Sequence, residues 1–344
     1  MGRYALLVQP SANRVYAEAS VALTEAELGL FDEQVLGGRL TEVGPEVIGG
    51  VPYLTFAADL GEREVALLSY VSTAFALYER EGDLLRPVAL VPPDRYDDDL
   101  LTVLKYAGKT NETFTRLLLN ATLLGRAAPE DLLDRRLRIL DPMCGRGTTL
   151  NQAVMYGYDA AGIDVDRKDV EAYVAFLGTW LKRKRLKHRI ETHPVRREGT
   201  VVARRTEASF AASREDYRAG DLQHVTVVRA DTVRAGDFFR PATFDAVVTD
   251  APYGVQHGSR GPDRGLARRP LELLRAAVPG WVGLLRPGGA LGVSWNTRVA
   301  GRDELAALLT AAGLEVLQSA PYLALRHRVD QAIVRDVLVA RRPA

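Results

Sequence analysis

The sequence predicts an α/β protein in which a parallel sheet is covered by helices on both faces, preceded by a small α+β domain. Strand-like and helix-like segments alternate from about residue 110 to the end of the chain, as in βαβ units. The first hundred residues lack this alternation and are acidic. Prolines and an acidic cluster in "RPVALVPPDRYDDD" indicate a linker at residues 87–99. We therefore expect two domains, residues 1–99 and residues 100–344.

The first domain is predicted to contain both strands and helices. "RYALLVQP" and "VPYLTFAADL" are rich in strand-forming residues. Between them, "LTEAELGLFDEQV" has helical spacing and a capping-box pattern, which predicts a helix that starts at Thr24. "EREVALLSYVSTAFALYERE" is predicted as one further helix because its apolar residues share one helical face. Those residues are Leu67, Tyr70, Val71, Ala74 and Leu77.

The second domain begins with "TNETFTRLLLNATLLG", which is predicted as an amphipathic helix capped by Gly125. Four short apolar strands with helices between them follow: "LRILDP", "DAAGIDVD", "HVTVVRAD" and "FDAVVTD". The rest is predicted as helix "LELLRAAVPGWVGLL", strand "ALGVSWN", helix "RDELAALLTAAG", and closing strands "LEVLQSAPY" and "QAIVRDVLVARR".

One insertion, at about residues 182–220, is longer than an ordinary helix-to-strand loop. Its centre is predicted to form a β-hairpin around "RREG". Residues 182–205 hold ten Lys or Arg against two Glu. Such a run is either solvated surface or a groove for an anionic partner.

Each of the four predicted parallel strands ends in an acid: Asp141, Asp164 (followed by Asp166), Asp231 and Asp250. One such acid is often only the cap of the next helix. Parallel strands, however, present their carboxyl ends at one edge of the sheet, where ligands bind. Four acids in register at that edge favour a shared site.

A glycine-rich turn, "DPMCGRGTT", lies between the first of these strands and a helix. Gly145 and Gly147 would let a ligand approach the backbone at the helix N-terminus. No lysine follows the glycines, so the turn is not a triphosphate-binding P-loop, and it is not GxGxxG. Strand-end acids without that lysine suit a cationic, ribose-bearing ligand such as S-adenosylmethionine.

Composition limits the class of protein. The 344 residues carry a net charge of +1, and no apolar run is long enough to span a bilayer. The N-terminal segment lacks the pattern of a signal peptide, so we expect a cytoplasmic location without membrane association. The single cysteine, Cys144, is expected to be a small buried residue, and the five scattered histidines predict no metal site. Residues 1–100 have a net charge of −10, and the remainder has +11.

The motifs "DPMCGRGTTL", "GIDVD", "RAD" and "TDAPYG", in this order, resemble those of Rossmann-type amino-methyltransferases. Within that class the chain is similar to the THUMP-associated tRNA guanosine-N2 methyltransferases, whose usual signatures are DPFCGSGT and DPPYG. "KYAGKTNETFTRLLLNATLL" is similar to the segment that precedes their first motif. The resemblance covers roughly residues 105–340. It implies a Rossmann-like methyltransferase sheet, S-adenosylmethionine as cofactor and tRNA as substrate.

The resemblance also implies residue roles. The methionine part of the cofactor would be surrounded by Asp141, Cys144, Gly145 and Gly147. Asp164 would accept hydrogen bonds from the ribose hydroxyls, and Asp231 would accept one from the adenine amine. The substrate would be contacted by Asp250, Ala251, Pro252 and Tyr253. The charge of the basic insertion, and not the resemblance, predicts that RNA phosphates would contact Lys182, Arg183, Lys184 and Arg185.

These roles describe one chemistry. Asp250 and the Ala251 carbonyl would bind the two N–H groups of an exocyclic amine and draw its nitrogen toward tetrahedral geometry. Tyr253 would stack on the base, and Pro252 would hold the turn. Ala251 stands where the family usually has its first proline, but it keeps the carbonyl that the chemistry needs.

The substrate stays open. A DNA adenine or cytosine amino-methyltransferase would share every motif and would flip out its base. An N-methyltransferase of a peptide or small amine would suit the acidic first domain, which would repel RNA. A non-enzymatic binding protein is disfavoured because the motif retains its acid and aromatic residue. The modified position, the oligomeric state and the role of the first domain also stay open.

Overall fold

In the computed structural model, the described residues are 1–9, 14–106, 108–251, 270–331 and 333–344. The first sheet is antiparallel, and its described strands are ordered β2-β3-β1-β4-β5. Its strands and the helices of this region are β1 (Gly2–Val8), α1 (Arg14–Phe31), β2 (Thr41–Ile48), β3 (Val51–Ala58), α2 (Glu62–Leu68), β4 (Ala74–Glu81) and β5 (Leu84–Val88). A π-helical turn at Asp32–Leu36 follows α1.

Two expectations for this region are wrong. Thr24 does not start a helix: it lies buried inside α1, and its hydroxyl donates to the Ser20 carbonyl 2.6 Å away. The single helix predicted over 62–81 ends at Leu68, and β4 follows it. β4 lies between β1 and β5, so sheet pairing outweighs the helical spacing of its apolar residues.

The second sheet has a parallel centre in the order β12-β11-β6-β7-β10, with antiparallel strands at both edges. Its strands are β6 (Arg138–Asp141), β7 (Asp159–Asp164), β8 (His188–Arg197), β9 (Thr200–Phe210), β10 (Gln223–Arg229), β11 (Phe244–Asp250), β12 (Leu285–Asn296), β13 (Glu315–Val316), β14 (His327–Arg328) and β15 (Val334–Arg341). β13, β14 and β12 each pair antiparallel with β15, while β9 pairs with β10 and β8 with β9.

Helices cover both faces of this sheet. They are α3 (Asp99–Thr102), α4 (Glu112–Leu124), α5 (Thr148–Met155), α6 (Arg167–Arg183), α7 (Arg214–Ala219), α8 (Pro270–Leu284), α9 (Arg302–Ala311) and α10 (Ala320–Leu323), with 3-10 turns at Pro129–Leu133 and Thr232–Asp237. α4, α5 and α6 pack on one face, and α8 and α9 pack on the other. The predicted α/β class is therefore confirmed. "LEVLQSAPY" forms only the short β13 and α10, not a full strand.

The first sheet packs on the α4 face, and a buried polar network joins the two parts. The Asn120 amide donates to the Glu27 carboxylate (2.7 Å) and to the Tyr70 carbonyl (2.6 Å). The Tyr156 hydroxyl donates to the Asn120 carbonyl (2.9 Å), and Ser72 donates to Glu27 through its backbone N–H and its hydroxyl. One apolar core continues across this contact. The predicted division at residues 99 and 100 stays a prediction.

Asn120→Leu should lower the free energy of unfolding by about 2 to 3 kcal/mol, because it leaves buried partners on both sides of the contact unsatisfied. Urea unfolding measures the change. Thr122→Val, in the same helix, is the matched control, since it removes only an intrahelical bond to the Leu118 carbonyl. Similar losses in the two variants would contradict a joining role for Asn120.

Candidate active site

The carboxyl ends of β6, β7, β10 and β11 meet at one edge of the second sheet, here called the rim. Asp141 pairs with Gly162, and Asp164 pairs with Arg229. The hydroxyl of Thr249, the residue before Asp250, donates to Asp141 Oδ1 at 3.0 Å. The predicted acids therefore lie along one edge, in the order that the strand pairing dictates.

The glycine turn after β6 is held closed by backbone hydrogen bonds. Cys144 N–H donates to the Ile163 carbonyl (3.0 Å), and Gly147 N–H donates to the Cys144 carbonyl (2.7 Å). Gly145 N–H donates to Asp164 Oδ2 (2.8 Å), which joins the turn to the end of β7. Gly145 and Gly147 have φ values of +47° and +79°, in the left-handed region that favours glycine. The turn thus presents bare backbone at the start of α5.

Two glycines allow close packing around this turn. A Cβ on Gly147 would lie 2.3 Å from the Tyr173 ring of α6. A Cβ on Gly162 would lie 2.6 Å from Cys144 Sγ, and Cys144 is buried. Burial raises the pKa of the Cys144 thiol well above its usual value. A Cβ on Gly145, in contrast, would meet no atom within 4 Å, so space for a ligand lies on that side.

Asp141 lies deeper than the other rim acids, with 3% of its surface exposed. Its Oδ1 also accepts the Met143 N–H at 3.1 Å. Burial raises its pKa to about 7, and the nearby negative charge of Asp164 adds to the increase. This carboxylate is therefore fixed in place and close to its protonation midpoint at neutral pH.

Asp164, Asp166 and Asp231, which lie at or after the ends of β7 and β10, have different hydrogen-bond partners. Asp164 is half-buried; its Oδ1 accepts the Asp166 N–H (2.8 Å), and burial raises its pKa. Asp166 caps α6 by accepting the N–H groups of the next turn. Asp231 is exposed and accepts the Val233 N–H at 3.0 Å. Asp166 and Asp231 are thus helix caps, whereas Asp164 faces the glycine turn.

Asp250 is placed by residues distant in sequence. Its side chain is 15% exposed. The Thr110 hydroxyl, just before α4, donates to Asp250 Oδ2 at 2.6 Å, and Arg335 Nη2 of β15 lies 3.9 Å from the same oxygen. Ala251 is buried, and its N–H donates to the Ser294 carbonyl at 2.8 Å. Pro252 and Tyr253 fall within residues 252–269, outside the described part of the chain.

Arg335 is itself buried beside aromatic rings. Its guanidinium lies 4.0 Å from the centre of the Phe114 ring, in cation–π geometry. His327 pairs with Arg335 across β14 and β15, and its ring lies 5.3 Å from that of Phe114. Burial, together with the positive charge of Arg335, lowers the pKa of His327 to about 4. The charge beside Asp250 at neutral pH is therefore that of Arg335.

The segment before α4 also reaches the rim at the start of α5. The Tyr106 hydroxyl is hydrogen-bonded to the Thr148 hydroxyl at 2.9 Å. The guanidinium of Arg146, in the glycine turn, lies 4.9 Å from the centre of the Tyr106 ring and pairs with Asp169 at 2.8 Å.

Sequence reasoning missed Tyr106, Thr110, Arg335 and His327. The segment "KYAGKTN", which contains Tyr106 and Thr110, was noted only because it resembles the segment before the first motif of the family. Nothing in the sequence of β14 or β15 indicated a site residue.

Lys182, Arg183, Lys184 and Arg185 lie at the C-terminal end of α6, away from the rim, and their contact with RNA phosphates stays a prediction. α6 starts next to the rim and runs away from it for 17 residues, about 25 Å at 1.5 Å per residue. Lys184 pairs with Asp97 and Asp99 at 2.6 and 2.7 Å. This basic cluster therefore belongs to the opposite end of the sheet.

The described residues were also searched for metal-binding clusters and for membrane-spanning helices. They contain no group of three or more His, Cys, Asp or Glu arranged to hold a metal ion. None of their helices combines the length and the apolar character that crossing a bilayer requires.

Comparison with known proteins agrees with this geometry. Residues 130–285, which include the glycine turn and all the rim acids, match the family UPF0020, described as an RMKL-like methyltransferase domain. The match supports a methyltransferase that uses S-adenosylmethionine. It covers less than half of the chain. A search of curated protein sequences gave no match.

Solved structures of methyltransferases are also similar. The 1,6-didemethyltoxoflavin-N1-methyltransferase of Burkholderia thailandensis is 17% identical, with 62% of this chain and 73% of that one covered and a TM-score of 0.36. NodS, an N-methyltransferase of Bradyrhizobium japonicum WM9, is 14% identical, with 67% and 95% covered and a TM-score of 0.38. Similarity at this level carries no information about the substrate.

The residues at the rim fit S-adenosylmethionine. The half-buried Asp164 carboxylate can accept hydrogen bonds from ribose hydroxyls, and the Asp141 carboxylate lies buried at the start of the glycine turn. The open space beside Gly145 gives a ligand access to the backbone at the start of α5.

Gly147→Ala should lower the free energy of unfolding by several kcal/mol, because the new methyl group would overlap the Tyr173 ring. Gly199→Ala is the matched control: its φ is +78°, but a Cβ there meets no atom within 4 Å. The control should lose only the backbone cost, about 1 kcal/mol. Urea unfolding compares them, and equal losses would show that the Tyr173 contact does not constrain the turn.

Asp141→Asn should change how stability depends on pH. A carboxyl whose pKa is about 7 when folded and about 4 when unfolded stabilises the fold below pH 4 and loses that contribution as pH rises through 7. The free energy of unfolding of wild type, relative to that of the variant, should therefore fall as pH rises from 5 to 8, by up to about 1.4 kcal/mol per pH unit. Urea unfolding at four pH values measures it, with the exposed Asp303→Asn as the charge control. A constant difference would contradict the raised pKa.

Proposed function

We propose that this protein is an S-adenosylmethionine-dependent amino-methyltransferase that modifies an exocyclic base amine in RNA, with guanosine-N2 in tRNA as the first candidate. The observation that carries the proposal is the setting of Asp250. Its carboxylate lies at the rim, accepts a hydrogen bond from Thr110 and faces the buried guanidinium of Arg335. Both neighbours stabilise a negative charge on a group that is only partly exposed.

Such a carboxylate is suited to an exocyclic amine. When bound, S-adenosylmethionine supplies an electrophilic methyl group. Asp250 accepts one N–H of the amine, and the Ala251 carbonyl accepts the other, so that the nitrogen lone pair is drawn out of conjugation with the ring. Thr110 and Arg335 fix the orientation of the carboxylate, and such orientation lowers the barrier to transfer. Burial of Ala251 keeps this part of the turn close to β12.

Support for RNA comes from the charge of the second part of the chain, which carries +11. The acidic first part favours a different candidate, N-methylation of a cationic peptide or small amine. DNA is the third possibility, because base amines in DNA present the same N–H groups.

The substrate test offers labelled S-adenosylmethionine with unmodified tRNA, genomic DNA and a small-molecule extract, followed by digestion and mass identification of the product. Label in N2-methylguanosine would support the full proposal. Label in another RNA base would keep the substrate class and change the amine. Label only in DNA or only in the extract would contradict the RNA assignment.

Asp250→Ala should reduce methyl transfer by at least about 100-fold, because the amine loses the acceptor that orients it. The affinity for S-adenosylmethionine, measured by calorimetry, should be almost unchanged. Asp250→Asn keeps an acceptor oxygen but removes its charge, so it should retain more activity than Asp250→Ala. A parallel loss of cofactor affinity would instead place Asp250 among the cofactor ligands.

A further inference from the structure

The hairpin formed by β8 and β9 extends beyond the rim. β10 ends at Arg229, which pairs with Arg204 of β9. β9 starts four residues earlier, at Thr200, directly after the turn of the hairpin. At about 3.3 Å per residue, the turn lies about 13 Å beyond the last paired residue of β10. The hairpin therefore overhangs the edge at which the strand-end acids lie. Residues 195–205 are here called the hairpin tip.

Contacts with the segment after β10 hold the hairpin tip in place. Arg197 Nη2 donates to the Asp237 carbonyl, and Arg205 Nη1 donates to the Phe238 carbonyl, both at 3.0 Å. The Arg205 guanidinium also lies 5.5 Å from the centre of the Phe239 ring. Residues 232–239 follow Asp231, so these contacts place the tip against the rim independently of the strand register.

The hairpin tip carries positive charge that no acidic side chain in the described part of the chain neutralises. Arg196 and Arg204 are exposed, and Arg229 beside them is half-exposed. None of these three belongs to an ion pair among the described residues, whereas Arg197 pairs with Asp237 and Arg205 with Glu207. Arg196 donates to the Gly199 carbonyl at 3.1 Å. Glu198 is the one acid within the tip.

The distance between the tip and Asp250 suits a polymer. β9 lies four strand positions from β11, through β6, β7 and β10. At about 4.8 Å per position, this separation is about 19 Å. A single base or a small amine bound at Asp250 would not reach Arg204. A nucleic acid strand would do so through a phosphate several nucleotides from the base in the site.

We infer that the hairpin tip, through Arg196 and Arg204, binds backbone phosphates of the RNA strand whose base enters the site at Asp250. This inference rests on the proposed function, and it is separate from the phosphate contact predicted at the α6 end. Guanidinium groups suit this role because they bind phosphate oxygens in bidentate geometry.

The test compares two double variants with the same change in net charge. Arg196→Glu with Arg204→Glu alters the tip. Arg214→Glu with Arg218→Glu alters two exposed residues of α7, which connects β9 to β10 at the opposite end of the sheet, and is the matched control. Binding to fluorescent unmodified tRNA is followed by anisotropy at several salt concentrations. Circular dichroism checks that each variant folds, and Arg196→Gln with Arg204→Gln is the milder variant if the reversal unfolds the hairpin.

The tip variant should bind RNA at least about tenfold more weakly. In a plot of log affinity against log salt concentration, the slope for the tip variant should be smaller in magnitude by about 1.4, because two phosphates of a single strand are no longer neutralised. The control should bind like wild type. Equal weakening of the two variants, or weakening of the control alone, would overturn the inference.

Methyl transfer separates failure of the inference from failure of the proposed function. If wild type methylates RNA and the tip variant binds it normally, the hairpin inference fails alone. If wild type neither binds nor methylates RNA, the proposed function fails and the inference fails with it. Methylation of a small amine at equal rates by wild type and tip variant, with no methylation of RNA, would likewise overturn both.

Discussion

Parallel pairing of β6, β7, β10 and β11 is the constraint on which the site depends. It brings residues that are far apart in sequence to one edge, and the hydrogen bond from Gly145 N–H to Asp164 then closes the glycine turn against the end of β7. Because Asp164 uses backbone donors from the turn and from its own loop, its carboxylate keeps one orientation. The rim is thus set mainly by backbone hydrogen bonds.

The first sheet supports this edge through α4. Asn120, near the C-terminal end of α4, is held by Glu27 and Tyr70 from the first part of the chain. At the other end of the helix, Phe114 lies under Arg335, and Thr110 lies just before the helix and donates to Asp250. A shift of α4 would therefore move both neighbours of Asp250. The acidic first part thus supports the position of Asp250 through α4.

The sequence predicted what depends on local pattern. Alternation of strands and helices indicated the α/β class, and the strand-end acids indicated the rim, because both follow from short-range periodicity and parallel pairing. The local pattern gave the wrong secondary structure where pairing with other strands decides it. Residues 70–81 have helical spacing, yet β4 forms because it pairs with β1 and β5. Thr110 and Arg335 could not be predicted, since they reach Asp250 only through the packing of α4 and the antiparallel β15.

The same limit applies to the basic segment. Its density of charge is highest at residues 182–185, but charge density says nothing about which end of a sheet a residue occupies. A helix that leaves the rim carries its last turn to the far end, and an antiparallel hairpin that follows returns to the rim. Topology therefore separates two groups of cations that the sequence presents as one run. It leaves those at the α6 end, with Lys184 paired to Asp97 and Asp99, and brings Arg196 and Arg204 beyond the rim, on the side where the proposed RNA substrate would bind.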